Sequence, residues 1–198
     1  TVLTHVSSAI EQGFSVWGVD LDVVHTTRTD GKSGRREPDW VQHRGSFPKE
    51  HRDEVHGVPV SIPARCAIEL STIVGVEPAL VLTNSVLHAK AAAPDDLVAL
   101  ARDVRYWPQS LTTDLVLRLS SSKMESPGET RTDYLCYRNG LPRPEAQVEI
   151  NDEYGKCFAR VDFAWRDRGV FLEFDGKIKY EKHRRPGESL DDFLMREK

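Results

Sequence analysis

The alternation of apolar and polar residues is most regular near residues 160–175, and it predicts a β-hairpin. Residues 160–165 and residues 170–175 each alternate with a period of two, as expected for half-buried strands. The segment between these two arms is polar and ends in Gly169, which is typical of a hairpin connection. We therefore expect the two arms to pair as antiparallel strands.

A turn at residues 167 and 168 determines which side chains of this hairpin face one another. It places Phe163 opposite Leu172 and Trp165 opposite Val170, all on one side of the ribbon. The same register places Val161 on that side as well. The sequence thus predicts one apolar face that packs into a core.

The other face of the predicted hairpin collects three carboxylates. Asp162 lies directly opposite Glu173, and Asp175 is the next residue of that face. Directly opposed side chains are roughly 4.5–5.5 Å apart at Cβ, and like charges placed there are destabilising. A divalent cation would neutralise them, and carboxylate oxygens suit hard cations such as Mg²⁺ or Mn²⁺. We predict a metal site at Asp162 and Glu173.

Residues 1–119 carry the patterns of an α+β domain. Pro59 favours an edge position for the strand that contains it. A polar linker at residues 120–123 marks the predicted boundary, which gives domains at 1–119 and 120–198. The predicted helices are 4–12, one that begins at 63, 77–89, 94–104 and 110–119, and the predicted strands are 23–27, 40–43 and 58–61.

The second predicted domain opens with a strong helix start. Ser126 is suited to the N-cap, Pro127 to the first helical position and Glu129 to the third, as in a capping box. A strand at 146–150, the hairpin and a helix that begins at 189 follow. Glu129 is a helix cap in one interpretation, while in another Glu129 or Glu125 completes the metal shell.

A basic segment follows the hairpin. Residues 177–185 hold five lysines and arginines with one interleaved tyrosine. Such a strip beside an acidic cluster is suited to a phosphodiester backbone. The predicted nucleic-acid contacts are Lys177, Lys179, Lys182, His183, Arg184 and Arg185.

Composition narrows the class of protein. A net charge of −4 over 198 residues argues against a general basic coat for nucleic acid. Three widely spaced cysteines indicate a reducing compartment, and no apolar run is long enough to span a membrane, so we expect a cytoplasmic protein. Because the chain starts without methionine and stops within a helical pattern, we expect it to be truncated at both ends.

The histidines show no ligand spacing along the chain. His25, His43, His51 and His56 lack the HExxH pattern, and they are not predicted as metal ligands.

Three short sequence motifs resemble those of a known group of proteins. They are ESPGE at residues 125–129, RVDFAW at 160–165 and EFDGK at 173–177. Together they resemble actinobacterial AbiEi-like proteins, antitoxins or regulators of type IV toxin–antitoxin systems, with a C-terminal PD-(D/E)xK domain of the very-short-patch-repair (Vsr) endonuclease branch. The phrase VPVSIPAR at 58–65 is similar to the AbiEi-like segment as well.

The resemblance implies an N-terminal AbiEi-like α+β region followed by a restriction-endonuclease-like αβββαβ core. It implies Asp162 and Glu173 as ligands of Mg²⁺, with Glu129 in the shell. Lysine usually stands where this chain has Asp175. Either Asp175 and Lys177 form a shifted motif, or Asp175 is a variant and the lysine comes from elsewhere, such as Lys179.

Two functions follow as hypotheses. The first is a metal-dependent nuclease that cleaves nucleic acid, with DNA the expected substrate, in a toxin–antitoxin or phage-defence setting with a protein partner. The second is a regulator or antitoxin that binds DNA without cleaving it, through a degenerate nuclease-like domain.

Overall fold

The structure is a computed structural model that describes residues 1–107 and 109–175. The chain divides into two compact units, Thr1–Arg143 and Pro144–Lys198. Helices and mixed sheets occur in the described part, so the predicted α+β class is confirmed. No helix found there has both the length and the apolar character needed to cross a membrane.

The first unit contains a six-stranded mixed sheet. Its strand order is β3-β4-β2-β1-β6-β5, with β2 parallel to β4 and β1 parallel to β6. The predicted strands at 23–27, 40–43 and 58–61 are confirmed as β2, β4 and β6. The strands are β1 (Val2–Leu3), β2 (Val24–Thr27), β3 (Arg35–Arg36), β4 (Trp40–His43), β5 (Arg52–Val55) and β6 (Val58–Ser61).

The predicted edge position of Pro59 is wrong. Its strand β6 lies between β5 and β1, and Pro59 pairs with Glu54 of β5. Proline is tolerated because β1 is only two residues long and pairs with β6 at a single position, Leu3 with Val60. The neighbour on that side is therefore too short to require a full ladder of hydrogen bonds.

Helices supply most of the core of the first unit, and all of them except α1 follow the six strands along the chain. Their buried faces collect the apolar residues that recur with helical spacing, such as Ile68, Leu82 and Leu97. Asp96 accepts a hydrogen bond from the Ala93 N–H and so caps the helix that begins at Pro94. The helices are α1 (His5–Glu11), α2 (Pro63–Ser71), α3 (Val76–His88), α4 (Pro94–Asp103), α5 (Ser110–Leu119) and α6 (Pro127–Arg138).

The linker and helix α6 are tied to the first unit by one buried amide. Asn84 of α3 donates to the Thr130 hydroxyl of α6 at 3.1 Å, and its carbonyl accepts from the Ser121 N–H at 2.8 Å. The compact unit that begins at Thr1 runs to Arg143 and so includes these segments, while the domain boundary after residue 119 stays a prediction. A polar composition alone does not show that a segment is held by buried hydrogen bonds.

The second unit has a three-stranded antiparallel sheet of β7 (Glu145–Asn151), β8 (Cys157–Trp165) and β9 (Val170–Leu172). The predicted register is confirmed, with Phe163 opposite Leu172 and Trp165 opposite Val170. Phe163 is 1% exposed, so this face does supply a core residue. The connection is a 3-10 turn over residues 166–168 that ends in Gly169 at φ 61°, a left-handed conformation that glycine adopts at little cost.

Candidate functional site

Asp162 ties the end of the hairpin to its central strand. It is half-buried in β8, and its Oδ2 accepts the Phe174 N–H at 2.7 Å. Glu173 is the residue that follows β9, and the last pair of β8 and β9 on this side is Phe163 with Leu172, so the predicted pair of Asp162 and Glu173 lies just beyond the ladder. The Asp162 side chain thus makes a structural hydrogen bond and also lies where a metal ligand is predicted.

The three carboxylates of the hairpin do not form a tight cluster. Asp162, Glu173 and Asp175 are not among the described groups whose ligand atoms all lie within 4.8 Å of one another. Glu173 and Asp175 are exposed. Their role as a metal site stays a prediction. Carboxylate oxygens are the donors that a hard cation prefers.

Glu129 is confirmed as the partner in a helix cap. Its amide donates to the Ser126 hydroxyl at 3.2 Å, and that hydroxyl donates to Glu129 Oε1 at 2.8 Å. Glu129 Oε2 accepts the Glu125 N–H at 3.0 Å, one residue earlier than in the usual capping box. Glu125 and Glu129 belong to the first unit, and Asp162, Glu173 and Asp175 to the second.

The basic segment lies outside the described residues. This applies to Lys177, Lys179, Lys182, His183, Arg184 and Arg185, and to the helix predicted from residue 189. Their proposed contacts with nucleic acid remain predictions.

A histidine cluster forms in the first unit. The ligand atoms of His5, His25 and His43 all lie within 4.8 Å of one another. Nδ1 of His25 is 2.9 Å from Nε2 of His43, and the rings of His5 and His43 stack at 3.9 Å between centroids. Among the described residues, it is the one group of at least three possible metal ligands whose ligand atoms lie this close together.

The fold brings these histidines together through the sheet and the start of α1. His43 ends β4, and its Cα pairs with Thr27, two residues after His25 on the parallel strand β2. His5 begins α1 directly after Thr4, whose N–H donates to the His25 carbonyl at 3.0 Å. Sequence spacing could not reveal the cluster, because the parallel pairing of β2 with β4 and the β1–β2 pairing create it.

His5 has an unusual backbone conformation. Its φ of 54° lies in the left-handed region, which is uncommon for residues other than glycine, although histidine adopts it more often than most. Such strain persists only where the surrounding structure imposes it, and it is concentrated at functional sites. The surroundings include the Thr4 hydroxyl, 3.0 Å from His5 Nδ1, and the Cys66 thiol, which donates to the His5 carbonyl.

The electrostatics of the cluster favour neutral imidazoles. Burial lowers the pKa of His5 well below its ordinary value, and the neighbouring His43, His25 and Arg65 lower it further. Burial, and then the charge of His25 and Arg36, lowers the pKa of His43 to about 4. Burial and Arg36 also lower the pKa of His25. Near neutral pH all three rings are uncharged, the form that binds metals.

A cavity of about 720 Å³ opens beside the cluster. His5 and His43 line it together with Glu69 and Arg44. Glu69 is buried in α2, and its Oε1 accepts from Arg65 Nε at 2.7 Å. Burial raises the pKa of Glu69 while Arg65 opposes that rise.

Fold and site together describe an α+β protein with a helix-covered mixed sheet, a histidine cluster and a separate acidic hairpin. Residues 12–116 match the family described as the AbiEi antitoxin C-terminal domain. That match covers more than half of the chain, so the protein belongs to this family. No curated protein matches the chain, and no solved structure matches it.

The family match confirms the AbiEi part of the resemblance. It ends at residue 116, within α5, and gives no support to a Vsr-like nuclease domain.

Proposed function

We propose that this chain is an antitoxin-type protein that counteracts a toxin encoded next to it. The observation that supports this proposal is the family match over residues 12–116. The matched region includes most of the six-stranded sheet and helices α2 to α4, and it reaches into α5. The proposal therefore assigns the antitoxin function to the first unit and leaves the acidic hairpin for a separate role.

Rescue of growth tests the antitoxin proposal. Induction of the neighbouring toxin alone is expected to stop growth of a bacterial host, and co-expression of this chain is expected to restore it. Asp162→Asn is expected to restore growth as well as the wild type, because Asp162 lies outside the matched region. Growth that stays arrested although the chain is folded and abundant would contradict the proposal.

A second candidate function is cleavage of nucleic acid at the hairpin. The observation that favours it is the confirmed pairing of β8 with β9 as far as Phe163 and Leu172, the residues next to Asp162 and Glu173. A restriction-endonuclease-like site would use these two residues to hold Mg²⁺ or Mn²⁺, with Asp175 and Lys177 as the further candidate residues of the motif. A bound metal of this kind supplies a nucleophilic water and stabilises charge on the phosphate.

The chain's own residues would position the substrate. Asp162 accepts the Phe174 N–H and so holds the segment after β9 in place. Glu173 belongs to that segment, and its backbone position is therefore fixed as well. Lys177 and the basic residues after it would attract the phosphodiester backbone, with DNA the proposed substrate.

Asp162→Asn is the sharpest test of the nuclease candidate. The amide retains an oxygen that accepts the Phe174 N–H but removes the negative charge. Cleavage of DNA with Mg²⁺ or Mn²⁺ is expected to fall at least about 100-fold, since even outer-shell changes at metal sites cost 10–100-fold. Asp167→Asn, an exposed aspartate of the same hairpin, is the matched control and should leave cleavage unchanged.

The outcomes separate the two candidates. Cleavage that is equal in wild type and Asp162→Asn would contradict a nuclease site at Asp162. DNA binding that needs no metal and leads to no cleavage would support the regulator, with a degenerate nuclease-like hairpin.

A further inference from the structure

We propose that His5, His25 and His43 form a three-histidine site for a divalent metal of the zinc class, with its fourth position open to the adjoining cavity. The site lies in the first unit and is distinct from the acidic hairpin. The proposal is independent of the antitoxin function and concerns a ligand class that the family match does not assign.

The ligand geometry is close to that of a tetrahedral centre. Zinc–nitrogen distances of about 2.0–2.1 Å place two ligand nitrogens about 3.3 Å apart. His25 Nδ1 and His43 Nε2 are 2.9 Å apart, and every pair of ligand atoms lies within 4.8 Å. Because the rings of His5 and His43 are stacked, they would have to turn apart about their side-chain torsions to direct all three nitrogens to one ion.

The outer contacts select one ligand atom of His5. Its Nδ1 lies 3.0 Å from the Thr4 hydroxyl, which in turn lies 3.0 Å from the Thr27 hydroxyl. A hydrogen bond from one ring nitrogen fixes the tautomer and directs the other nitrogen to the metal. His5 Nε2 is accordingly the atom assigned to the ion.

The remaining two ligands face each other across the parallel strands. Neutral imidazoles can share one proton between His25 Nδ1 and His43 Nε2, and the ion would replace that hydrogen bond. The strain at His5 has the same explanation: its left-handed backbone holds a third ring against the pair, stacked at 3.9 Å on His43.

The cavity makes room for a fourth ligand. His5 and His43 both line it, so an ion between them would have an open side. Three protein ligands with one open position are characteristic of catalytic zinc sites, whereas structural sites are closed. The fourth ligand would be water or the carboxylate or phosphate of a small molecule.

The charges around the cluster are mixed. Arg36 and Arg65 lie close enough to lower the pKa values of the histidines. Their positive charge opposes the binding of a cation. Asp20 acts in the opposite direction on His25, and Glu69, which lines the same cavity, pairs with Arg65. A borderline metal held by neutral nitrogens tolerates this balance better than a hard cation, which requires several carboxylate oxygens.

Titration of the tag-free, chelator-treated chain with Zn²⁺ tests the proposal. Calorimetry is expected to show one Zn²⁺ per chain. Co²⁺ is expected to give the intense visible absorption of a tetrahedral site. His25→Gln and His43→Gln change half-buried side chains, so folding can be checked by circular dichroism, and each is expected to weaken binding at least about 100-fold.

Matched variants separate this site from adventitious binding. His56→Gln and His88→Gln alter exposed histidines and should leave Zn²⁺ affinity and the Co²⁺ spectrum unchanged. Thr4→Val removes the hydroxyl that positions His5 and is expected to weaken binding by about 10–100-fold. Absence of saturable binding in the folded wild type would overturn the proposal, and so would undiminished binding in the His25→Gln/His43→Gln double variant.

Discussion

Replacement of Arg65 by methionine is expected to lower the free energy of unfolding by about 3–5 kcal/mol, because it leaves a buried carboxylate without its counter-charge. Glu69 is 1% exposed, and its Oε1 receives the Arg65 Nε donor at 2.7 Å. Methionine fills much of the same space, so the loss comes mainly from charge and hydrogen bonding. Urea denaturation measures it directly.

Arg65 does more than neutralise Glu69. Its Nη2 donates to the Ser46 carbonyl at 2.9 Å, and Nη1 lies 2.8 Å from His51 Nδ1. The guanidinium also lies 3.9 Å from the centre of the Phe47 ring, a favourable cation–π geometry. One side chain thus joins α2 to the segment between β4 and β5, and its removal disturbs several contacts at once.

Two further variants make this prediction decisive. Arg35→Met breaks an exposed ion pair with Glu37 at 3.7 Å and is expected to cost less than about 1 kcal/mol. Arg65→Met/Glu69→Gln removes the buried charge as well and is expected to recover most of the lost stability. A small loss in Arg65→Met, or a double variant no more stable than the single one, would contradict the argument.

Local patterns were sufficient for much of the fold. The capping residues Ser126 and Glu129 placed the start of α6 correctly, since a cap depends on residues three positions apart. Period-two alternation gave the hairpin register at Phe163 and Leu172. In each case the information lies within a few residues or across a short turn.

Pairings between distant segments were not predictable in the same way. The strands β1 and β3 have only two residues each, too few for a pattern to be distinguished from a loop, and β5 (Arg52–Val55) begins with three charged residues and so lacks apolar alternation. The histidine cluster depends on strand β1 and on the parallel pairing of β2 with β4. His25 and His43 are 18 residues apart, so ligand spacing along the chain could not predict the cluster that the sheet creates.

The candidate metal site of the hairpin shows what a local pattern cannot predict. The sequence predicts that Asp162 and Glu173 face each other, and the observed ladder ends one position before them, at Phe163 and Leu172. Metal binding depends on where carboxylate oxygens converge, and that depends on rotamers and on ligands from other elements. Alternation along a strand determines the face of a side chain but not the position of its terminal atoms.

Replacement of Leu82 by alanine is expected to cost about 2–5 kcal/mol, as for other leucines deleted from well-packed cores. Leu82 is fully buried in α3 and packs in a cluster that includes Ile68 of α2 and Leu97 of α4. Alanine leaves a cavity that these neighbouring helices can close only in part, because several elements hold them. Urea denaturation at constant m-value measures the loss.

Leu111→Ala is the matched control, since it makes the same chemical change at a side chain that is 83% exposed in α5. Little buried area is lost there, and alanine has the higher helix propensity, so the expected change is within about 0.5 kcal/mol. Equal losses in the two variants would contradict the assignment of Leu82 to the core. Because domains are stable by only about 5–15 kcal/mol, the Leu82 change removes a large share of the total. Since Leu82 lies within the region that matches the antitoxin family, the same variant is expected to weaken growth rescue through loss of folded protein.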